Sequence, residues 1–358
     1  MMKILTNTTK ITMAILLMGV LILPTSCKKE LLDLTPTDLL ASENFWKTDE
    51  DATIALMAAY ASARAVFDRD YYFDGQAGEF TRVRGNSGTA GQILRGDAYQ
   101  AGSYGPSGYG ASFDKYFSYL YGSVNRSNYV IENITNKMLP TATGTKLASL
   151  ESIIAEARLL RGMTYFRLIS MWGDVPYISK IIYDNSEVTA LSRMPIGQVK
   201  DSIMADFNYA IAKLPNKAAA LGRAGKPAAL AFRGKLNLYW GSWKKNGWPE
   251  LEGFTQNAGE ATAAFTSAAA DFKSVINDFG LTLYKNGDPG QIDALGKADI
   301  LPNYFELFTP KANGNPEMLM VFTHSGTPTN PSQGEELMRD FSGRTIEGSQ
   351  CWVSPRYE

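Results

Sequence analysis

One histidine and two cysteines are all that 358 residues contain. A histidine–cysteine zinc site needs several such ligands, and His324 stands alone. A disulfide framework needs paired thiols, and with Cys27 assigned below to another use Cys351 is left without a partner cysteine. Neither a Gly-x-Ser-x-Gly elbow nor a Gly-x-x-x-x-Gly-Lys-Ser/Thr loop occurs; Gly222-Arg-Ala-Gly-Lys226 has the wrong spacing. An excess of one charge is missing too. With 35 basic and 36 acidic residues, the net charge is -1. That leaves no electrostatic footprint for nucleic acid and no broad basic face for anionic lipid. Long apolar runs are scarce. Ile11 to Leu23 is too short for a membrane span and meets Pro24 at once.

What the N-terminus does have is a secretory pattern. Lys3 and Lys10 form a weak basic region ahead of the apolar run. Leu23-Pro24-Thr25-Ser26-Cys27 then reads as a bacterial lipobox. Residues 1–26 are expected to be a lipoprotein signal peptide, with Cys27 carrying the lipid. Two or more acyl chains would give stable anchoring, at about 0.8 kcal/mol per buried methylene. Loss of Lys3 and Lys10 leaves 33 basic and 36 acidic residues, a net charge of -3. Residues 27–44 are polar and turn-rich, and read as a tether.

Helical periodicity dominates the rest. Thr48 is placed to N-cap a helix, with Asp51 at the capping-box position. Ile54, Met57, Ala58, Ala61 and Ala65 read as its buried face. Phe113, Phe117, Leu120, Val124, Ile131, Ile134 and Met138 share a stripe in the next helix. Ala155 to Trp172 carries two stripes: Ile153, Ala157, Leu160, Thr164, Leu168 and Met171, beside Tyr165, Phe166, Ile169 and Trp172. Two stripes imply packing on two sides, as in a stacked array. Gly173 stops this helix and Pro176 prevents re-entry. Val199 to Leu214, stopped by Pro215, and a helix opening near Pro227 with Ala229, Phe232, Leu236, Tyr239 and Trp240 follow. The last stripe is Phe265, Ala268, Phe272, Val275, Ile276 and Phe279, ended by Gly280. Six helices thus read as three antiparallel pairs, with tetratricopeptide-like alternation of alanine and aromatic residues. Glu317 to Thr323 reads as a short buried strand.

Residues 68–112 break the period. Ten glycines there recur among Tyr71, Tyr72, Phe73, Tyr99, Tyr104 and Tyr109. A loop of this length inside a domain serves function or is disordered, and its aromatics argue against disorder. Flat aromatic faces flanked by amides, carboxylates and arginines suit the apolar C–H faces and hydroxyls of sugar rings. Tyr71, Tyr72, Asp97, Tyr99, Tyr104 and Tyr109 are therefore candidate ligand contacts, and Trp243 and Trp248 form a second candidate patch. Packing under a loop is the competing reading of each aromatic. Asp70, Asp74, Glu79 and Asp97 read as turn chemistry, although an acid pair for glycoside hydrolysis does not reveal itself by sequence spacing. Arg158 and Arg161, beside Glu156, read as an ion-pair network between helices rather than an anion site.

Ala155-Glu-Ala-Arg-x-Leu-Arg-x-x-x-Tyr-Phe166, followed by Gly173-Asp-Val-Pro176, resembles the core signature of the SusD/RagB family. Phe45-Trp46, Asn125-Arg-Ser-Asn128, Asp206-Phe207, Gly222-Arg-Ala224 and Asn315-Pro-Glu317 fit it as well. Gly225-Lys-Pro227 and Tyr177 depart from the usual pattern. The resemblance implies a mostly α fold, a tetratricopeptide-like array of about three helix pairs with minor β and the 68–112 excursion inserted. Residues 45–358 would form the binding domain. It implies an outer-membrane lipoprotein that binds oligosaccharide, without cofactor or catalysis, and passes it to a TonB-dependent, SusC-like transporter. A binder of peptide or another nutrient, a surface glycosidase and a purely structural adaptor remain open. Three helix pairs are one fewer than the family array carries, and Trp352 to Glu358 stops in mid-segment. A partial, C-terminally truncated member is therefore expected.

Overall fold

The structure, a computed structural model, describes residues 45–67, 81–83, 113–284, 307, 312, 314–323 and 353–355. Six helices run in order: α1 (Asp49–Phe67), α2 (Phe113–Asn133), α3 (Gly144–Trp172), α4 (Ile196–Lys213), α5 (Lys226–Asn246) and α6 (Ala258–Asp278). Each packs on its predecessor. α1 also reaches α3, and α3 touches α5. Residue pairing shows the antiparallel sense. Tyr116 and Ser123 of α2 meet Arg167 and Thr164 of α3. Lys213 of α4 meets Glu151 of α3. No described helix is long and apolar enough to cross a membrane. Among the described residues the minor β is one antiparallel pair, β1 (Thr81–Val83) with β2 (Val353–Pro355), in the register Arg82 to Ser354.

Local chemistry sets the helix ends. The Thr48 hydroxyl accepts from the Asp51 N–H at 3.2 Å, and Asp51 accepts from the Thr48 N–H at 2.8 Å, a reciprocal cap at α1. Gly173 ends α3 at φ 68°, a conformation that favours glycine, and its N–H bonds the Ile169 carbonyl. The rest of that motif has structural roles. Asp174 accepts from the Ile196 N–H at 2.8 Å and so caps α4. Val175 is buried and bridges Met194. The Pro176 carbonyl accepts from the Tyr121 hydroxyl at 2.7 Å.

α3 is buried from Ile153 to Leu160 on nearly every side, as two stripes require. Three expectations need correction. The buried face of α1 is Ala52, Ala55, Leu56, Ala59, Tyr60, Ala63 and Val66; Ile54, Met57, Ala58, Ala61 and Ala65 are exposed. An alanine-rich helix offers little contrast between its faces. Here the Tyr60 phenol decides, because it reaches Glu156 on α3 at 2.7 Å. Ile276 is likewise exposed, since α6 packs on α5 through Ala261, Ala264, Ala268, Asp271 and Val275. Glu317 to Thr323 is half-buried but forms no strand. Side chains hold it instead. Glu317 accepts from the Tyr284 N–H, Arg64 donates to the Thr323 carbonyl, and Phe322 stacks on Phe67 at 6.0 Å.

An internal repeat underlies the array. Arg161-Gly162 on α3 faces Asp206-Phe207 on α4, and Arg233-Gly234 on α5 faces Asp271-Phe272 on α6. Arg161 grips Asp206 with two bonds of 2.8 and 2.7 Å and donates a third to Asn128 on α2. Arg233 grips Asp271 at 2.9 and 2.5 Å and donates a third to Asn208 on α4. In both copies a phenylalanine ring fills the space over the glycine. Each bidentate fork fixes the register of a helix pair, and each glycine lets the ring close on the backbone.

Candidate functional site

The signature residues form scaffold rather than an open reactive centre. Glu156 is buried on α3 and accepts from Arg223 through both of its oxygens. Tyr60 donates to the same carboxylate and accepts from the Ala224 N–H at 2.8 Å. Burial and the Glu156 charge push the Tyr60 phenol well above its ordinary pKa. Burial opposes the charge on Arg161, but Asp206 overrides that and holds the guanidinium above its ordinary range. Arg158 lies over the Tyr209 ring at 4.3 Å. The network between helices expected of Arg158 and Arg161 is what the structure has. The buried carboxylates Glu156, Asp206 and Asp271 each hold an arginine, so none is poised as a general acid or base.

Cys27, Tyr71, Tyr72, Asp97, Tyr99, Tyr104 and Tyr109 lie outside the described residues, as do Asp70, Asp74, Glu79, His324 and Cys351. Trp243 and Trp248 do come together, at the C-terminal end of α5. Trp243 stacks on Phe254 with centroids 4.8 Å apart and rings 15° from parallel. Trp248 meets its edge at 5.9 Å. Gly247 at φ 76° turns the chain between them, and the Trp248 N–H bonds the Phe254 carbonyl at 3.0 Å. The result is a fixed aromatic stack. Trp243 is half-buried inside it, and Trp248 shows 48% of its surface to solvent. Trp240 beside them is engaged differently. Its indole donates to Glu260 at 2.6 Å, and Lys200 and Lys244 lie near its ring at 5.0 and 5.2 Å.

Two clefts escaped sequence reasoning. One, of about 700 Å³, lies among the α4–α5 loop, the end of α6 and residues 314–321, with Lys217, Arg223 and Leu221 in its wall. The other, of about 500 Å³, lies between α2 and the loop after α3, walled by Phe117, Tyr121, Ile182 and Leu191. The second had one sequence signal, Gly122 in the middle of a periodic helix.

Comparison with known proteins supports the architecture. Residues 89–238 match a family model, SusD-like_3, described as starch-binding associating with outer membrane. SusD-like protein P2 of Formosa agariphila is 26% identical over 220 residues, covering 60% of this chain and 41% of that protein. The chain spans about two fifths of the length of the curated relatives it matches. A laminarin-binding SusD-like protein of known structure is 23% identical, with a TM-score of 0.54 over 78% of this chain and 52% of that one. A crystal structure with xylogluco-oligosaccharide is also 23% identical, with a TM-score of 0.55 over 83% of this chain and 52% of that one. At that identity the solved structures establish the fold. Signature motif, family model, curated relatives and helical array agree, and over residues 89–238 the chain is similar to SusD-like proteins.

Proposed function

We propose that this chain is a glycan-binding lipoprotein of the outer membrane. It holds an oligosaccharide without cleaving it and delivers it to a TonB-dependent, SusC-like transporter. The match of residues 89–238 to a family model described as starch-binding associating with outer membrane carries this reading. Solved relatives named for laminarin binding and for a xylogluco-oligosaccharide complex point the same way. Cys27 is the lipid-bearing residue, residues 1–26 are removed, residues 27–44 tether the chain, and residues 45–358 carry the binding surface. The 68–112 tyrosines and Asp97 make ligand contacts, and the exposed indole of Trp248, propped by Trp243, adds a platform. Each platform is worth about 0.5–1.5 kcal/mol beyond the area it buries.

Calorimetric titration with malto-, laminari- and xylogluco-oligosaccharides tests the reading. Saturable binding to at least one, with the sugar recovered intact, is the expected result. A protein that binds none of the three, or releases new reducing ends, is something else. Labelled palmitate should enter the wild-type chain and not Cys27→Ala; equal labelling of both would remove the anchor.

A further inference from the structure

Glycines in the interior of these helices differ in what surrounds them. A Cβ on Gly162, Gly234 or Gly241 would come within 2.6, 2.7 or 2.9 Å of a phenylalanine ring. Packing explains those three. On Gly122 of α2, a Cβ would meet no atom within 4 Å among the described residues. Its φ is not positive, so no turn requires glycine there. A helix-interior glycine weakens its helix, and no described residue gives this one a packing reason. It lies in the wall of the cleft of about 500 Å³ between α2 and the loop after α3.

That cleft is built rather than incidental. The Asn125 amide both donates to and accepts from Ile182, each at 2.8 Å. Asn128 donates to the carbonyls of Ile178 and Lys180, and Glu132 accepts from the Ile181 N–H. The far rim is a short turn, Asn185–Val188, closed by a reciprocal Asp184–Glu187 cap. Phe117 and Tyr121 supply adjoining rings 4.8 Å apart, and the Tyr121 hydroxyl is already spent on Pro176. Most of what faces the cleft is apolar, with Ser118 and Asn125 also in its wall. The exposed amide of Asn185, which has no side-chain hydrogen bond among the described residues, lines it as well. The volume falls within the range of small-ligand sites, about 300–1,000 Å³.

We propose that this cleft is a glycan subsite in which a pyranose ring lies against the bare backbone at Gly122. Its C–H face meets Phe117 and Tyr121, and its edge hydroxyls reach the Asn185 amide. The subsite rests on the glycan-binding reading above, and is lined by α2 and the loop after α3.

Gly122→Leu projects a side chain into the cleft from its wall, with a Cβ that meets no described atom within 4 Å. Wild type, Gly122→Leu and Asn185→Ala are titrated with malto-, laminari- and xylogluco-oligosaccharides and melted by circular dichroism. The expected result is at least tenfold weaker binding by Gly122→Leu at an unchanged or raised Tm, and several-fold weaker binding by Asn185→Ala. Wild-type affinity in both folded variants would overturn the subsite and leave the glycan reading standing. A wild type that binds none of the three sugars would overturn that reading and the subsite with it. Should Gly122→Leu fail to fold, Asn185→Ala decides alone: weaker binding supports the subsite and unchanged binding overturns it.

Discussion

The α3–α4 and α5–α6 pairs carry the same clamp at different depths. In both, an arginine forks onto an aspartate across the pair and bonds an asparagine on the preceding pair. The side chains of Arg161 and Asp206 are 6% and 3% exposed, whereas those of Arg233 and Asp271 are 27% and 6% exposed. Position in the array makes the difference. α3 and α4 have helices on both sides, while α6 packs against α5 alone among the described helices. Depth changes what a clamp does. A charge deep in the array cannot be rehydrated when its partner is lost, so the inner clamp enforces register. The outer clamp can trade its partner for water.

The largest test of that difference removes the acid. Asp206→Ala leaves Arg161 charged and buried, at a cost of about 3–5 kcal/mol. Asp271→Ala should cost about 1–2 kcal/mol, between a surface pair and a buried one. Denaturant melts of the two variants would measure the gap. Equal losses would mean that depth is irrelevant and that the shared geometry alone sets the energy.

The glycines sharpen the comparison at intermediate size. A methyl on Gly162 collides with Phe207, which is fully buried and cannot move aside. Overpacking costs about 1–3 kcal/mol, against a helix-propensity gain of about 1 kcal/mol. Gly162→Ala should therefore destabilise. Gly234→Ala meets Phe272, which is only half-buried and has room to swing outward, so its net effect should lie near zero. Gly122→Ala meets no described atom within 4 Å and should stabilise by up to about 1 kcal/mol. One substitution type thus changes sign along the array. Thermal melts that rank the three otherwise would break the packing argument.

How legible this was depended on the kind of signal. Periodicity located all six helices, because an apolar stripe is a property of consecutive residues. Thr48 with Asp51, and Gly173, were legible because caps are local. The face of α1 was not, since alanines on both sides look alike until Tyr60 finds Glu156 across the fold. Expecting a strand at Glu317 to Thr323 followed β-propensity, which tertiary side-chain contacts overrode. Arg161 reads as an ion-pair residue, but its partner Asp206 lies on another helix, and the repeat at Arg233 shows only in the fold. Only three dimensions align Arg-Gly with Asp-Phe twice. For the candidate site, Trp243 and Trp248 could be flagged by type alone. Their division into a packed ring and an exposed ring depends on Phe254, which the Gly247 turn brings back over α5.

The smallest expected effect separates the clamps by screening. The Debye length falls from about 10 Å at 0.1 M salt to about 3 Å at 1 M, and screening acts where solvent reaches the charges. Arg233 is reached by solvent and Arg161 is not. Double-mutant cycles on Arg233–Asp271 should lose a few tenths of a kcal/mol of coupling across that range, on the scale of the about 0.2–1 kcal/mol found for exposed pairs. The Arg161–Asp206 coupling should not move beyond experimental error. Because each cycle is compared with itself at two salt concentrations, general salt effects on folding cancel. A salt-sensitive inner clamp would mean that water reaches it, and the distinction between the two pairs would then be one of degree.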